Sequence, residues 1–151
     1  MTLLVEGADL GLAVLLMKWT GLWPDLALEP PALAIGAVVG IGAAGAVIFL
    51  LNADAPGTRG LLEDIQPLLD RLADASLLDL IVIAMAAGVC EEALFRGVVQ
   101  TWIGTLTGAH LSVIAAGLVF GLIHAVSVRY AVFATALGGG VGSVFVLGGR
   151  L

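Results

Sequence analysis

The sequence has few charged residues for its length. Asp, Glu, Lys and Arg make up 12% of its 151 residues, whereas 60% of the residues are hydrophobic. A soluble domain carries about a quarter charged residues. The apolar residues also form runs long enough to cross a bilayer, which takes roughly 20 residues in a helix. The composition therefore excludes an ordinary soluble domain and predicts an integral membrane protein.

Cysteine and clustered positive charge are also scarce. Cys90 is the only cysteine, which excludes an intrachain disulfide and a CxxC metal or redox pair. Six Lys and Arg stand against twelve Asp and Glu without forming a basic cluster, so we expect no nucleic-acid partner. Glu6 and Asp9 lie where a signal peptide would carry positive charge, so we expect no cleavable leader there.

The apolar runs predict an all-α fold, a polytopic transmembrane helical bundle of four to five spans. Residues 32–51 carry no charge and follow a Pro-Pro pair, a natural helix start. The other predicted spans are residues 10–23, 77–99, 111–125 and 131–147. We interpret residues 1–151 as a single membrane domain, with N-terminal spans and a loop in 1–60 and a core in 61–151. The basic residues divide evenly between the two sides, so the positive-inside rule leaves the orientation open.

Residues 61–75 have the pattern of an amphipathic helix. Aliphatic residues fall on one face and charged residues on the other, with a period near 3.6. This pattern predicts a helix on the membrane surface; a solvated loop helix, bent or restarted at Pro67, is the alternative.

We expect a loop over 52–60 and a short connection over 104–109. Ser76 and Asp79 resemble a capping box that starts the third span.

Within the third predicted span, the stretch 90–97 carries three charged residues, Glu91, Glu92 and Arg96. Each costs roughly 2.5–3.5 kcal/mol near the centre of a membrane helix, so such residues usually serve a function. Glu92 and Arg96 lie four residues apart on one face and can form a salt bridge. Glu91 is rotated by about 100° from Glu92. It is therefore left to act as a general base.

The fourth predicted span carries Phe120 and His124 on one face, while Gly117 and Gly121 allow a neighbouring helix to approach closely. His124 can hold or transfer a proton near neutral pH. Together, Glu91 and His124 could orient and deprotonate a water molecule that attacks an amide carbonyl. Within a membrane, peptide hydrolysis needs such a site because bulk water is excluded.

These residues resemble the motifs of the CPBP family (CAAX proteases and bacteriocin-processing enzymes, also called the Abi family), which includes the type II CAAX prenyl endopeptidases. Glu91, Glu92 and Arg96 match its Glu-Glu-x-x-x-Arg motif, and Phe120 and His124 match its Phe-x-x-x-His motif. The resemblance covers roughly residues 61–151. It implies an intramembrane endopeptidase in which Glu91 and His124 activate the catalytic water and Glu92, Arg96 and Phe120 support the site.

The resemblance also implies a class of substrate and the location of the reaction. The substrate would be a membrane-associated protein or peptide, prenylated or not, and the reaction would take place in the lipid bilayer. No metal and no other cofactor is expected. The sequence itself offers no His-Glu-x-x-His and only a poor set of zinc ligands. The protein would be a multi-pass protein of a bacterial or archaeal cell membrane, of unspecified oligomeric state.

The family's third motif, typically His-x-x-x-Asn on a further helix, has no match in the sequence. In the family it helps to stabilise the oxyanion, and losing one oxyanion donor typically costs on the order of 10²–10³ in rate. The sequence is therefore expected to be either part of a longer enzyme or an inactive member that acts in bacteriocin immunity or binds a membrane partner. A small transporter with a proton relay through Glu91 and His124 is a further hypothesis, although no broken helix or inverted repeat favours it.

Overall fold

The computed structural model describes residues 2–21, 41, 42, 45, 48, 49, 52 and 56–148. Helices dominate, and no strand occurs within this described part of the chain. The helices are α1 (Thr2–Thr20), α2 (Pro56–Leu72), α3 (Leu77–Glu92), α4 (Thr101–Thr107), α5 (Ala109–Ile123) and α6 (Val128–Leu147), with a π-helix, Ala93–Gln100, between α3 and α4. The predicted all-α fold is confirmed.

The longest element is the continuous helical run Leu77–Thr107, made of α3, the π-helix and α4. It is about 45 Å long at roughly 1.5 Å per residue. The predicted capping box starts it, because the Asp79 N–H donates to Ser76 Oγ at 3.2 Å and the Ser76 N–H donates to Asp79 Oδ2 at 3.1 Å. Gly108 ends it with a φ of 84°, which glycine adopts without steric cost. The predicted span 77–99 is therefore too short, and the predicted connection 104–109 reduces to a turn at Gly108.

The sequence pattern did not predict the π-helix Ala93–Gln100. π-helices are rare, occur mostly as short bulges within α-helices and are frequent at functional sites. Thr101 Oγ1 donates to the Arg96 carbonyl five residues earlier, at 2.8 Å. The fully buried Gln100 donates from Nε2 to the Gly142 carbonyl of α6, at 2.9 Å. These two side-chain hydrogen bonds support the wide turn of the π-helix. The Gln100 bond requires α6, which lies far away in the sequence.

Helices α5 and α6 form an antiparallel hairpin with close backbone contact. A Cβ atom added at Gly117 would lie 3.1 Å from the Gly139 nitrogen, and one added at Gly121 would lie 2.6 Å from the Ala131 carbonyl oxygen. Such closeness matters in lipid, where helices associate through packing because the lipid tails are as apolar as the side chains. The close approach predicted from Gly117 and Gly121 is confirmed. The predicted spans 111–125 and 131–147 correspond to α5 and α6, with small shifts of their ends.

Helix α1 packs against α3 and the π-helix. Ala13 and Met17 of α1 form a buried cluster with Leu94, Phe95 and Val98 of the π-helix. The helix occupies Thr2–Thr20 and is followed by Gly21, which has a φ of 71°. The predicted span 10–23 therefore begins later than the helix does. It also extends past the end of the helix at Thr20, because Gly21 leaves the helical conformation.

Helix α2 is the predicted amphipathic helix, and it runs through Pro67 without a break. It begins at Pro56, and Asn52 is also helical, so the predicted loop over 52–60 is wrong at these residues. Leu61 is buried, whereas Leu68 and Leu69 are 46% and 43% exposed. The first half of α2 thus packs on the molecule, and the second half presents apolar side chains outward. Its position on the membrane surface stays a prediction.

Of the helices in the described residues, α6 is long and apolar enough to cross a membrane alone. The helices Thr58–Leu72 and Leu77–Thr107 meet the same criterion as a pair, bent by 119°. Residues Leu10–Thr20 and helix α5 are apolar but shorter. The predicted span 32–51 lies almost wholly outside the described residues; residues 41, 42, 45, 48 and 49 within it are helical.

Candidate active site

Glu91 and His124 face each other between the long helical run and α5. Glu91 lies in the last turn of α3, and His124 is the residue at which α5 ends. Glu91 Oε1 lies 3.4 Å from His124 Nε2. The two side chains are 27% and 28% exposed, so the pair remains accessible from outside the bundle. The structure therefore brings together the two residues predicted to be catalytic.

A backbone carbonyl sets the tautomer of the His124 ring. Nδ1 lies 2.8 Å from the Phe120 carbonyl oxygen, which can only accept, so Nδ1–H is the donor. In the neutral ring Nε2 is then an acceptor, and it faces an acceptor oxygen of Glu91. Two acceptors this close can share one proton, or can both accept from one water molecule. The arrangement is therefore suited to binding a water molecule and removing its proton.

Two phenylalanine side chains hold the His124 ring in place. Phe120 stacks on it with ring centroids 4.1 Å apart and planes inclined by 24°. Phe95 meets Phe120 edge-on at 4.8 Å and 72°, and it is only 3% exposed. Aromatic pairs contribute about 0.5–1.5 kcal/mol beyond their buried area. Phe120 belongs to the predicted site. Phe95 was missed, because an apolar residue in an apolar span gives no signal in the sequence.

The neighbouring acid, Glu92, pairs with Arg96. Arg96 Nη2 lies 3.5 Å from Glu92 Oε1, as the four-residue spacing predicts. The Arg96 side chain is 3% exposed, whereas that of Glu92 is 48% exposed. The guanidinium carbon also lies 5.5 Å from the centre of the Phe120 ring, within the range of a cation–π contact. The two carboxylates therefore have different partners, and Arg96 contacts the ring on which His124 stacks.

Three polar residues beside the site were not predicted. Ser127 lies three residues after His124, and its hydroxyl donates to Asp64 Oδ2 of α2 at 2.6 Å. Arg129 donates to both oxygens of the same carboxylate. A serine before an apolar helix is a recognisable N-cap signal, but the sequence does not reveal that its partner lies 63 residues earlier.

No three His, Cys, Asp or Glu side chains within the described ranges lie close enough together to hold a metal ion. That the protein needs no metal or other cofactor stays an expectation from the family resemblance and from the poor set of zinc ligands in the sequence.

The fold and the site define a class: an all-helical protein with a carboxylate and an imidazole paired where two apolar helices meet. Residues 73–151, more than half of the chain, match the family described as type II CAAX prenyl endopeptidase Rce1-like. The chain therefore belongs to this family of membrane-embedded proteases, and the predicted family resemblance is confirmed. All five predicted site residues lie within the matched range. Searches of curated proteins and of solved structures found no match.

Proposed function

We propose that the chain is an intramembrane endopeptidase that hydrolyses a peptide bond in a membrane-associated protein or peptide. The observation that carries this proposal is the 3.4 Å approach of Glu91 Oε1 to His124 Nε2. Family membership supports the class of reaction, and the close approach of the two side chains supports the choice of Glu91 and His124. We further propose a multi-pass protein of four to five spans in a bacterial or archaeal cell membrane, as the resemblance implies.

In the proposed mechanism, a single water molecule donates two hydrogen bonds, one to Glu91 and one to His124. The water oxygen attacks the carbonyl carbon of the scissile bond while its proton passes to the Glu91 carboxylate. Glu91 then gives this proton to the amide nitrogen, and the C–N bond breaks. The products are a carboxylic acid and an amine, and no group is oxidised or reduced. His124 orients the water, and Phe120 keeps the imidazole ring in position.

The surroundings of the pair suit a substrate that arrives from the lipid. Glu91 lies near the middle of the helical run Leu77–Thr107, about 21 Å from its first residue. Apolar side chains near the pair point outward: Val89 is 66% exposed and Leu122 is 72% exposed. A hydrophobic or lipid-modified peptide could therefore contact these side chains while its backbone reaches the water between Glu91 and His124.

The proposal is tested by reconstituting the protein in liposomes with a farnesylated CAAX peptide and with the same peptide lacking the farnesyl group. We expect cleavage of at least one peptide. Glu91→Gln and His124→Ala should each lower the rate by at least about 10²-fold, because general acid–base groups typically contribute 10²–10⁴-fold. The ratio of rates for the two peptides measures the contribution of the prenyl group.

Matched control variants are available for both residues. Glu63→Gln changes an exposed glutamate of α2, and His110→Ala changes an exposed histidine at the start of α5; both should retain the wild-type rate. Unchanged cleavage in both Glu91→Gln and His124→Ala would defeat the proposal. Binding of either peptide without cleavage by the wild-type chain would instead indicate an inactive family member.

A further inference from the structure

The amphipathic helix α2 is attached to the region beside the candidate site by three polar side chains, which we call the Asp64 latch: Asp64, Ser127 and Arg129. Arg129 donates from Nε to Asp64 Oδ2 and from Nη2 to Asp64 Oδ1, both at 2.9 Å. Ser127 Oγ donates to Asp64 Oδ2 at 2.6 Å. One carboxylate thus accepts three hydrogen bonds, two of them from a single guanidinium in the bidentate geometry that is strongest for such pairs.

The latch lies directly on the backbone of α2. A Cβ atom added at Gly60 would overlap the guanidinium of Arg129, so Arg129 crosses the helix where a side chain is missing. Asp64 is only 16% exposed, although Arg129 is 58% exposed. The hydrogen bonds from Arg129 and Ser127 hold the pKa of Asp64 below its usual value. The carboxylate is therefore ionised, and the latch complete, at neutral pH.

Ser127 connects the latch to the start of α6. Its φ of −148° and ψ of 169° are extended, and its Oγ accepts from the Tyr130 N–H at 3.1 Å. The Ala131 N–H donates to the Ser127 carbonyl at 2.8 Å. The same hydroxyl that caps α6 therefore also donates to Asp64. A change at Asp64 alters the hydrogen bonding of the residue that ends the loop after His124.

The loop from His124 to Ser127 is short and is held at both ends. At the first end, the His124 ring bonds the Phe120 carbonyl at 2.8 Å, and the Val126 N–H donates to the His124 carbonyl at 2.8 Å. At the other end, the N-cap bonds and the latch hold Ser127. An exposed ion pair by itself adds little to stability. A latch on a loop of this length instead restricts where His124 can lie.

We propose that Asp64 is a positioning residue for His124: through Ser127 and Arg129 it fixes the loop that follows α5, so that His124 Nε2 faces Glu91. For its kinetic consequence this inference rests on the proposed endopeptidase function. Its structural consequence, the placement of the imidazole, can be measured without any substrate.

The first test is nitrogen-15 NMR of the histidine rings in detergent micelles. The chain has two histidines, and His110→Ala assigns the signals of His124. In the wild-type protein, we expect the His124 signals of a neutral ring protonated at Nδ1. In Asp64→Ala these signals should shift toward those of a ring that exchanges between tautomers, while those of His110 stay unchanged. Asp64→Asn, which keeps an acceptor for Ser127 but loses the charge, should give an intermediate shift.

The second test is kinetic and uses Asp70→Ala as the matched control. Asp70 lies on the same helix, and its carboxylate accepts a local hydrogen bond from Gln66 at 2.8 Å. Asp64→Ala should lower kcat about tenfold with less than a twofold change in KM, because a small misplacement of a catalytic group slows the chemical step. Asp70→Ala should change neither parameter.

The two tests separate the possible failures. Unchanged His124 signals in Asp64→Ala would overturn the positioning role, whatever the enzyme activity. Shifted His124 signals with an unchanged kcat would also overturn the positioning role. The latch would then affect the imidazole ring without any effect on catalysis. If the wild-type chain cleaves neither peptide, the endopeptidase proposal fails, while the NMR result still decides whether Asp64 places His124.

Discussion

At the scale of single residues, two adjacent glutamates acquire different partners because the helix turns about 100° between them. Glu91 is directed at His124, and Glu92 is directed at Arg96. Arg96 supplies a full positive charge to Glu92, whereas His124 offers Glu91 a ring that can be neutral. Of the two acids, Glu91 is therefore the one that faces an imidazole, a group that can accept or donate a proton.

The buried guanidinium of Arg96 leads to the first stability prediction. Its Nε and Nη1 atoms have no hydrogen-bond partner among the described residues, and a buried polar group without a partner costs about 1–3 kcal/mol. Arg96→Met removes this cost and keeps a long side chain against Phe120. Glu92→Gln instead leaves the buried charge without the carboxylate that pairs with it at 3.5 Å. We expect the Tm of Arg96→Met to equal or exceed that of the wild type.

Glu92→Gln should lower the Tm by about 2–4 °C, as expected for roughly 1 kcal/mol in a chain of this size. We expect this small fall in Tm because the Glu92 side chain is 48% exposed, and exposed ion pairs add little to stability. Thermal unfolding in detergent measures both variants, and Arg71→Met, at an exposed arginine of α2, is the control. A Tm of Arg96→Met several degrees below wild type would show that the guanidinium stabilises the bundle.

The residue types and spacing predicted much of this site. The Glu92–Arg96 pair follows from the four-residue spacing, and the two motifs named Glu91 and His124 as partners. The contact of Phe95 with Phe120 and the Asp64 latch could not be predicted, since both depend on tertiary contacts. Phe95 looks like any other apolar residue of the span, and Asp64 looks like one of several charges on the outer face of α2.

At the scale of elements, the α5–α6 hairpin sets the position of His124. Phe120 contacts Gly138, where an added Cβ atom would lie 3.1 Å from the phenylalanine side chain. The next residue of α5, Gly121, meets Thr135 and the Ala131 carbonyl. The glycines thus allow α6 to lie directly against the turn of α5 that carries the candidate site.

Gly121→Ala should therefore force the two helices apart. The added methyl group would overlap Thr135 Oγ1 and lie 2.6 Å from the Ala131 carbonyl oxygen, and such overpacking costs about 1–3 kcal/mol. Gly140→Ala is the matched control, because nothing lies within 4 Å of a Cβ atom there and alanine favours the helix. Thermal unfolding should show a lower Tm for Gly121→Ala and an unchanged or higher Tm for Gly140→Ala. Equal Tm values for the two variants would contradict the close packing.

Helix positions were easier to predict than helix ends and the π-helix. Apolar runs and the Ser76 capping box gave the start of the long run and the approximate bounds of α5 and α6. The end at Thr107 was missed because the connection was assigned from its glycines, although Gly104 lies within α4 and only Gly108 adopts a positive φ. At the end of the π-helix, Gln100 bonds the Gly142 carbonyl of α6, a contact that no local pattern encodes.

At the scale of the whole molecule, the antiparallel hairpin and the long helical run fix the relative positions of their ends. Gly117 lies beside Gly139, and Gly121 lies beside Thr135. The C-terminal end of α6 at Gly148 therefore lies level with the turn at Gly108. The run from Leu77 to Thr107, at about 45 Å, exceeds the roughly 30 Å of a bilayer core. If it spans the membrane, Asp74 and Gly108 lie on opposite sides, and the Glu91–His124 pair lies between them.

This arrangement predicts which residues can be labelled from each side of the membrane. In a Cys90→Ala background, single cysteines at the exposed positions Asp74, Thr107 and Gly148 are treated with an impermeant maleimide in sealed vesicles. Thr107→Cys and Gly148→Cys should react from the same side, and Asp74→Cys only from the opposite side, because one helical span separates them. All three should react once detergent opens the vesicles, which controls for burial. Reaction of Asp74→Cys and Thr107→Cys from one side would mean that the run Leu77–Thr107 does not cross the bilayer.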